Sequence, residues 1–260
     1  MIDRLADLDR VVVGFSGGVD SALLADLAFQ ALGDEALIVT AVSPALSDEA
    51  LVTARKTAAD RGWMHQEIHT FEMNRPEYVR NSPDRCFHCR SELFERLEIL
   101  RAETGVSAIA VGTILDDFGD HRPGIQAAKE KGVITPLADV GFNKIMVREV
   151  ARERGLDVAD RPSDACLASR IPYGVPVTIK TLDMIEAAED VIRQFGFATF
   201  RVRHHGKCAR IEVSVDELPR LLELRSDVSQ AIKAVGYSWV SLDLDGFRSG
   251  SANEALPGES

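Results

Sequence analysis

The sequence predicts an α/β protein, a doubly wound parallel sheet followed by a second, smaller α+β domain. Three observations carry that expectation. Short β-rich apolar runs alternate with stretches of helical period through the first two thirds of the chain. The first of these runs ends in a glycine turn that opens directly onto a helical pattern. After Arg148–Arg154, a proline-rich stretch from Asp160 to Pro176 interrupts the alternation, and the pattern beyond it changes.

Val11-Val12-Val13-Gly14-Phe15 reads as a buried strand, and Asp20–Leu32 carries apolar residues at helical spacing. Ala36–Val42 reads as a second strand. Ser47–Arg61 follows as a helix, with Ser47 placed to accept an amide hydrogen bond as its cap. His65 and His69 stand four apart, but their segment reads better as a strand, so the six histidines offer no metal pattern of their own. The polar stretch Asn74–Arg85, with two prolines and a following Cys-Phe-His-Cys turn, looks like a functional loop leading into a helix over Ser91–Glu103. Ala108–Gly112 is a further strand. These elements make a domain of residues 1–170. Residues 171–260 form the smaller one, with helices over Thr178–Phe195, Asp216–Leu224 and Ser226–Val235 and strands over Ala198–His204, Ala209–Val215 and Ser238–Leu244. Leu256–Ser260 reads as a loose tail.

Composition narrows the classes. The chain has 260 residues, 45% of them hydrophobic and 27% charged, with a formal net charge of −11. That balance argues against general adhesion to nucleic acid or to an anionic membrane. The opening MIDRLADLDRVVVGF is neither a signal peptide nor a transit sequence, and no apolar run reaches membrane-spanning length. The expected location is the cytoplasm, where the four cysteines stay reduced. One basic cluster appears late, at Arg201, Arg203, His204, His205 and Lys207, and on charge alone it reads as a solvated strand end.

Ser16-Gly17-Gly18-Val19-Asp20-Ser21 is the most informative hexapeptide. It lies between strand and helix, where a phosphate meets backbone amides. Glycines allow close approach, Ser16 and Ser21 offer hydroxyl donors, and Asp20 suits a Mg²⁺ ion bridging phosphate oxygens. No Gly-Lys-Ser/Thr follows, so it is not a Walker A loop. The bland alternative is a tight turn whose serine and aspartate cap a helix. These residues resemble the PP-loop ATP pyrophosphatases, whose fold is that of the adenine nucleotide alpha hydrolases. The resemblance implies cleavage of ATP between its α and β phosphates to give an adenylated substrate and pyrophosphate. Asp116 and Asp117 follow a strand at the carboxyl edge of the sheet, where ligands of such sheets collect. Gly112 and Asp116 are assigned to ATP, and Asp117 to the substrate or its supporting contacts. The alternative for the aspartates is a turn with a helix cap.

The stretch from Pro162 to Gly174, PSDACLASRIPYG, resembles the hallmark of the LarE family, ATP-dependent sulfur transferases of nickel-pincer cofactor synthesis. Asp84-Arg85-Cys86-Phe87-His88-Cys89, Gly112-Thr113-Ile114-Leu115-Asp116-Asp117, Arg122-Pro123-Gly124 and Gly246-Phe247-Arg248-Ser249-Gly250 extend the resemblance over nearly the whole chain. Ile114 departs from it, standing where the family pattern calls for an asparagine. The resemblance implies adenylation of a carboxylate on pyridinium-3,5-biscarboxylic acid mononucleotide, followed by insertion of sulfur to give the thiocarboxylate. Cys166 is then the catalytic sulfur donor, becoming dehydroalanine if it gives up its own sulfur, and Arg170 is placed to stabilise its thiolate.

A second sulfur route stays open at this point. Cys86, Cys89 and Cys166 together can ligate three irons of a [4Fe-4S] cluster and leave the fourth iron to carry sulfide. Zinc, or an unliganded reduced pair, are the other readings of Cys86 and Cys89. Cys208 is left as a core residue. Ser169, Arg170, Arg201 and Arg203 are assigned to the substrate phosphate, because guanidinium forks suit a dianion. Glu189 and Glu212 are assigned to the substrate or its supporting groups. Against this stands a surface network in which Arg201 and Arg203 pair with Glu212 and Glu189. The family resemblance also implies a homo-oligomer. Three other functions remain in play: a tRNA or sulfur-carrier thiolase of the PP-loop class, an ammonia-using ligase, and a non-enzymatic ATP-binding sensor or scaffold.

Overall fold

The structure, a computed structural model, describes residues 1–119, 123–162 and 165–248. Of the motif residues, Arg122, Ser163, Asp164, Ser249 and Gly250 lie outside the described residues, as does the expected tail at 256–260. Packing divides the chain into two compact units, one of residues 1–78 with 84–164 and one of residues 79–83 with 165–260.

The first unit runs α1 (Ile2–Ala6), β1 (Val11–Gly14), α2 (Val19–Leu32), β2 (Ala36–Val42), α3 (Asp48–Arg61) and β3 (His65–His69). A short α4 (Pro76–Val79) ends where the chain leaves this unit. The chain returns as α5 (Arg85–Thr104), β4 (Ala108–Val111), α6 (Pro123–Glu130), α7 (Pro136–Asp139) and α8 (Lys144–Glu153). The four strands form a parallel sheet in the order β3-β2-β1-β4, with Val11 paired to Ala36 on one side and to Ala108 on the other.

The doubly wound arrangement follows from β1 itself. Val11 and Val13 pack into a core with Leu23 and Leu24 of α2, Ala54 of α3 and Val147 and Ala151 of α8. Val12, between them, packs into a second core with Phe94 and Leu97 of α5 and Ala127 and Ala128 of α6. Successive strand residues point to opposite faces, so a run of three valines needs helices on both. Each valine is fully buried, which stabilises by roughly 1.5–3 kcal/mol apiece. The order reverses between β1 and β4, and that switch point is where an open α/β sheet leaves a crevice at its carboxyl edge.

Ser47 caps α3 as expected, accepting the Ala50 N–H at 3.2 Å. The helix expected at Ser91–Glu103 instead begins at Arg85, so the Cys-Phe-His-Cys segment is its first turns rather than a loop. Its polar residues and the nearby Pro83 hide that start, which is fixed by packing: Arg85, Ser91 and Glu92 are buried with Phe94. No described helix is long and apolar enough to cross a membrane.

The second unit contains α9 (Ile179–Gln194), β5 (Phe200–His205), β6 (Cys208–Val213), α10 (Leu218–Glu223), α11 (Arg225–Val235) and β7 (Trp239–Leu242). Its sheet has the order β5-β6-β7, antiparallel then parallel. Val202, Ile211 and Val213 bury one face against Ile192 of α9 and Val228 and Ile232 of α11. Residues 79–83 join this unit through Asn81, a fully buried residue at φ 57° whose amide donates to the carbonyls of Pro172 and Val175 at 2.9 and 2.8 Å. The late basic cluster is a solvated strand end only in part: His205 and Lys207 are exposed, whereas Arg203 and His204 are buried. Nor is Cys208 a core residue; it is half-buried, with its thiol 3.4 Å from the Ser241 hydroxyl.

Candidate functional site

In the first unit, β1 delivers the glycine loop to the switch point. Gly18 caps α2 without a side-chain hydrogen bond, which leaves first-turn amides of a 14-residue helix for an anion. Ser21 Oγ donates to the Gly18 carbonyl at 2.9 Å and accepts the Ser16 N–H at 3.2 Å, which also brings the two serine hydroxyls to 3.2 Å. Gly17 holds φ +79°, and a Cβ there would sit 3.2 Å from the Ala50 carbonyl oxygen. Gly112, just past β4, comes so close to α2 that a Cβ would lie 2.7 Å from the Ser21 nitrogen. Loop and strand end are thus in contact through glycine.

Asp20, in the first turn of α2, receives the Lys144 ammonium on both carboxylate oxygens at 2.9 and 2.8 Å. Asp116 accepts the main-chain N–H of Lys144 at 2.6 Å. Asp117 accepts the Ile114 N–H at 3.0 Å, closing its own turn. The Ile114 side chain is buried in the core beside Val13, a place for an apolar group.

Cys86 is exposed and Cys89 half-buried, three residues apart on α5 and therefore on one helix face. His88 Nε2 lies 3.1 Å from Asp84 Oδ2. Among the described residues, no group of three or more His, Cys, Asp or Glu side chains is arranged to hold a metal ion.

In the second unit, Cys166 is exposed and caps a 3₁₀ turn over Leu167–Arg170, with the Ser169 N–H donating to its carbonyl at 2.9 Å. Arg170, only 2% exposed, governs that turn. Its Nε and Nη2 donate to the two Glu189 oxygens at 2.9 and 3.1 Å. Its Nη1 reaches the Ala165 carbonyl, the Cys166 carbonyl at 3.0 Å and the Ser169 hydroxyl at 3.2 Å. The guanidinium expected at a substrate phosphate is instead enclosed, and its contact with Cys166 is to the main chain. Glu189 also accepts the Val202 N–H at 3.1 Å.

A second pair stands beside the first. Arg203 donates to both oxygens of Glu212 at 2.9 and 3.0 Å and to the Ser169 carbonyl at 3.0 Å. Arg210 donates to Glu212 as well, at 3.0 Å. Of the pairing expected at the surface, Arg203 does hold Glu212, though in a buried place, while Glu189 is held by Arg170 instead. Arg201 stands opposite Glu212 across the ladder, with its guanidinium 5.1 Å from the Phe247 ring centre. Behind this face, His204 Nδ1 meets the Tyr237 hydroxyl at 3.1 Å. Burial holds His204 below the ordinary histidine range, with His205 adding to the effect. Burial, then the charge of Glu189, push Tyr237 up.

Sequence reasoning missed Lys144 and Arg210. Lys144 carried a readable signal: it follows the capping residue Asn143, whose side chain accepts the Met146 N–H, and a cation in a first helical turn opposes the helix dipole. Such a lysine serves a partner elsewhere. Arg210 lies across the ladder from Arg203, a pairing that needs the strand register to be known.

Residues 4–80 match the NAD synthase family. The chain is 39% identical over 252 residues to an uncharacterised protein of Synechocystis sp., covering 96% of this chain and 94% of that protein. It is 34% identical over 257 residues to the pyridinium-3,5-bisthiocarboxylic acid mononucleotide synthase of Lactiplantibacillus plantarum, covering 98% and 93%. An uncharacterised protein of Methanocaldococcus jannaschii is 26% identical over 242 residues, covering 92% and 91%.

Proposed function

The chain belongs to the LarE family of PP-loop proteins, and from that premise we propose that it is an ATP-dependent sulfur transferase acting on pyridinium-3,5-biscarboxylic acid mononucleotide. The observation that supports this most is the Cys166 turn: an exposed thiol on a backbone clamped from behind by a buried guanidinium.

In this reading the amides of Gly17 and Gly18 and the hydroxyls of Ser16 and Ser21 hold the ATP phosphates, and Gly112 lets the strand end approach them. Asp20 is the Mg²⁺ ligand, the ion supplying charge neutralisation on the phosphate oxygens. Asp116 fixes the main chain of Lys144. A substrate carboxylate oxygen attacks the α-phosphorus, the bond to the bridging oxygen breaks, and pyrophosphate departs. The resulting acyl adenylate is open to a thiolate. Cys166 sulfur attacks the acyl carbon and AMP leaves with the C–O electron pair. Loss of the Cys166 α-proton and cleavage of its Cβ–S bond then leave dehydroalanine and the thiocarboxylate.

Ser169, Arg201 and Arg203 are the groups we assign to the substrate phosphate, with Glu212 orienting Arg203 and Asp117 supporting the turn after β4. Arg170 and Glu189 position the Cys166 turn. Cys86 and Cys89 supply two thiols on one face of α5, the pair that with Cys166 would hold a [4Fe-4S] cluster if the sulfur came from outside the chain. We place the reaction in the cytoplasm, in a homo-oligomer, on a small molecule rather than a nucleic acid, which the net charge of −11 disfavours.

The test is formation of AMP and pyrophosphate on addition of the biscarboxylate mononucleotide. Cys166→Ala should keep this step and form no thiocarboxylate. Ammonia-dependent AMP release, or salt-sensitive retention on tRNA, would instead favour a ligase or a tRNA thiolase. No carboxylate-dependent pyrophosphate release would mean an ATP-binding sensor.

A further inference from the structure

Asp26 lies midway along α2, in a stretch where every residue from Ala22 to Ala28 is buried. An aspartate is a poor helix former and is rarely enclosed unless paired. Its two carboxylate oxygens are divided between two other helices. Oδ1 accepts Nε and Nη2 of Arg61, in the last turn of α3, at 3.0 and 2.5 Å. Oδ2 accepts Nε of Arg154, the residue that caps the end of α8. Arg61 Nη1 closes the triangle by donating to the Arg154 carbonyl at 3.2 Å. Each cation sits at a helix C-terminus, where the dipole favours it. The acid is the member that local preference does not explain.

The same three helices meet again at their other ends. There α2 opens on the glycine loop, the Ala50 carbonyl of α3 lies 3.2 Å from the place of a Cβ on Gly17, and Lys144 at the head of α8 reaches Asp20. Between the two ends the contact is apolar, and much of it is alanine: Ala22, Ala25 and Ala28 of α2, Ala54 and Ala58 of α3, Ala151 of α8. Alanines raise only shallow ridges, so they let helices approach closely while resisting a slide along their axes weakly. Directional contacts must fix that slide. A carboxylate shared among three helices does so, and its desolvation makes it a poor source of stability in itself.

We infer that Asp26 is a positioning residue: with Arg61 and Arg154 it sets the depth at which α2 presents Gly18, Asp20 and Ser21 to the ATP phosphates. It acts at a distance, about 9 Å along the helix from Asp20 at 1.5 Å per residue. The inference rests on the reading of the glycine loop as the ATP site.

Full-length variants, unfolded in urea and titrated with ATP and Mg²⁺ by calorimetry, test this. Asp26→Leu combined with Arg61→Met and Arg154→Met replaces the charges by apolar groups, which should leave the urea midpoint level or raise it. ATP should nevertheless bind about 10-fold or more weakly, because a small misplacement of the binding groups is no longer prevented. Asp26→Glu keeps all three charges and lengthens the acid by one methylene. It should weaken ATP binding while the midpoint stays nearly level, and it carries the test if the triple variant does not fold. Wild-type ATP affinity in a folded variant overturns the inference, as does an affinity that falls only in step with the folded fraction. Asp20→Asn separates the two claims. If it weakens ATP binding while the Asp26 variants do not, the loop is the ATP site and only the positioning role fails; if it too leaves ATP binding unaffected, the reading of the loop fails with it.

Discussion

The guanidinium of Arg170 reaches the main-chain oxygen of Cys166 at 3.0 Å while its other edge is held by both oxygens of Glu189, at 2.9 and 3.1 Å. The paired side chains are 2% and 6% exposed. Desolvating two charges offsets most of their attraction, so such a pair is a poor source of net stability. What it supplies is geometry. Charged at any accessible pH and planar, the guanidinium ties the turn that carries an exposed thiol to a helix and a strand of its own unit.

Glu189→Gln should therefore be costly out of proportion to its size. It strands a buried cation, which destabilises by about 3–5 kcal/mol in urea unfolding. Arg170→Lys tests the geometry rather than the charge, since an ammonium cannot reproduce the fork. The rate of thiocarboxylate formation should fall by up to about 100-fold, the loss expected for a nucleophile displaced by an ångström. Mutant protein that folds and thiolates normally would remove Arg170 from the site.

Gly112→Ala should disable the nucleotide half. The added Cβ would meet the Ser21 nitrogen at 2.7 Å and the Asp20 carbonyl carbon at 2.8 Å, both main-chain atoms that cannot rotate away. Overpacking of this kind costs roughly 1–3 kcal/mol, and here the displaced segment is the phosphate loop. ATP affinity measured by calorimetry should drop more than the unfolding midpoint does.

Arg201→Ala should weaken binding of the biscarboxylate mononucleotide far more than binding of ATP, with a loss of about 1.5–3 kcal/mol for a charge-assisted contact. Separate titrations of the two ligands check this. Equal losses would return Arg201 to a structural role on the Phe247 ring.

Stability should fall with acid in the histidine range. Burial is the largest cause lowering both His65 and His204, so each is neutral in the folded chain where the unfolded chain takes up a proton. Their contribution is complete above the ordinary histidine pKa of about 6.5 and is lost as pH falls through it towards the depressed folded values. Urea midpoints measured from about pH 8 to 5.5 should decline, and His204→Asn should make the slope shallower.

How much of this was legible in the sequence depended on the range of the interaction. The valine run at 11–13, the strand at Ala36–Val42 and the Ser47 cap are local patterns, and the structure keeps them at nearly the expected bounds. The start of α5 was not legible, because the nearby Pro83 and the Cys-Phe-His-Cys segment read as a loop, and the burial of Arg85 that fixes the first turn is a tertiary contact. The run at Arg201–Lys207 misled at Arg203 in particular: charge alone reads as solvent, and only the folded contact with Glu212, a residue of the neighbouring strand, shows that Arg203 is enclosed. The assignment of Arg170 erred in direction. A motif can mark the residue, but the Glu189 that turns its guanidinium inwards lies 19 positions away on a helix.

The central claim is that Cys166 gives up its own sulfur, and the most direct measurement is the intact mass of anaerobically purified protein after incubation with ATP, Mg²⁺ and the biscarboxylate mononucleotide. Thiocarboxylate product together with protein lighter by the elements of H₂S, the loss mapped to residue 166, is the predicted result. Product formed while the protein mass stays unchanged would contradict it and require sulfur from outside the chain.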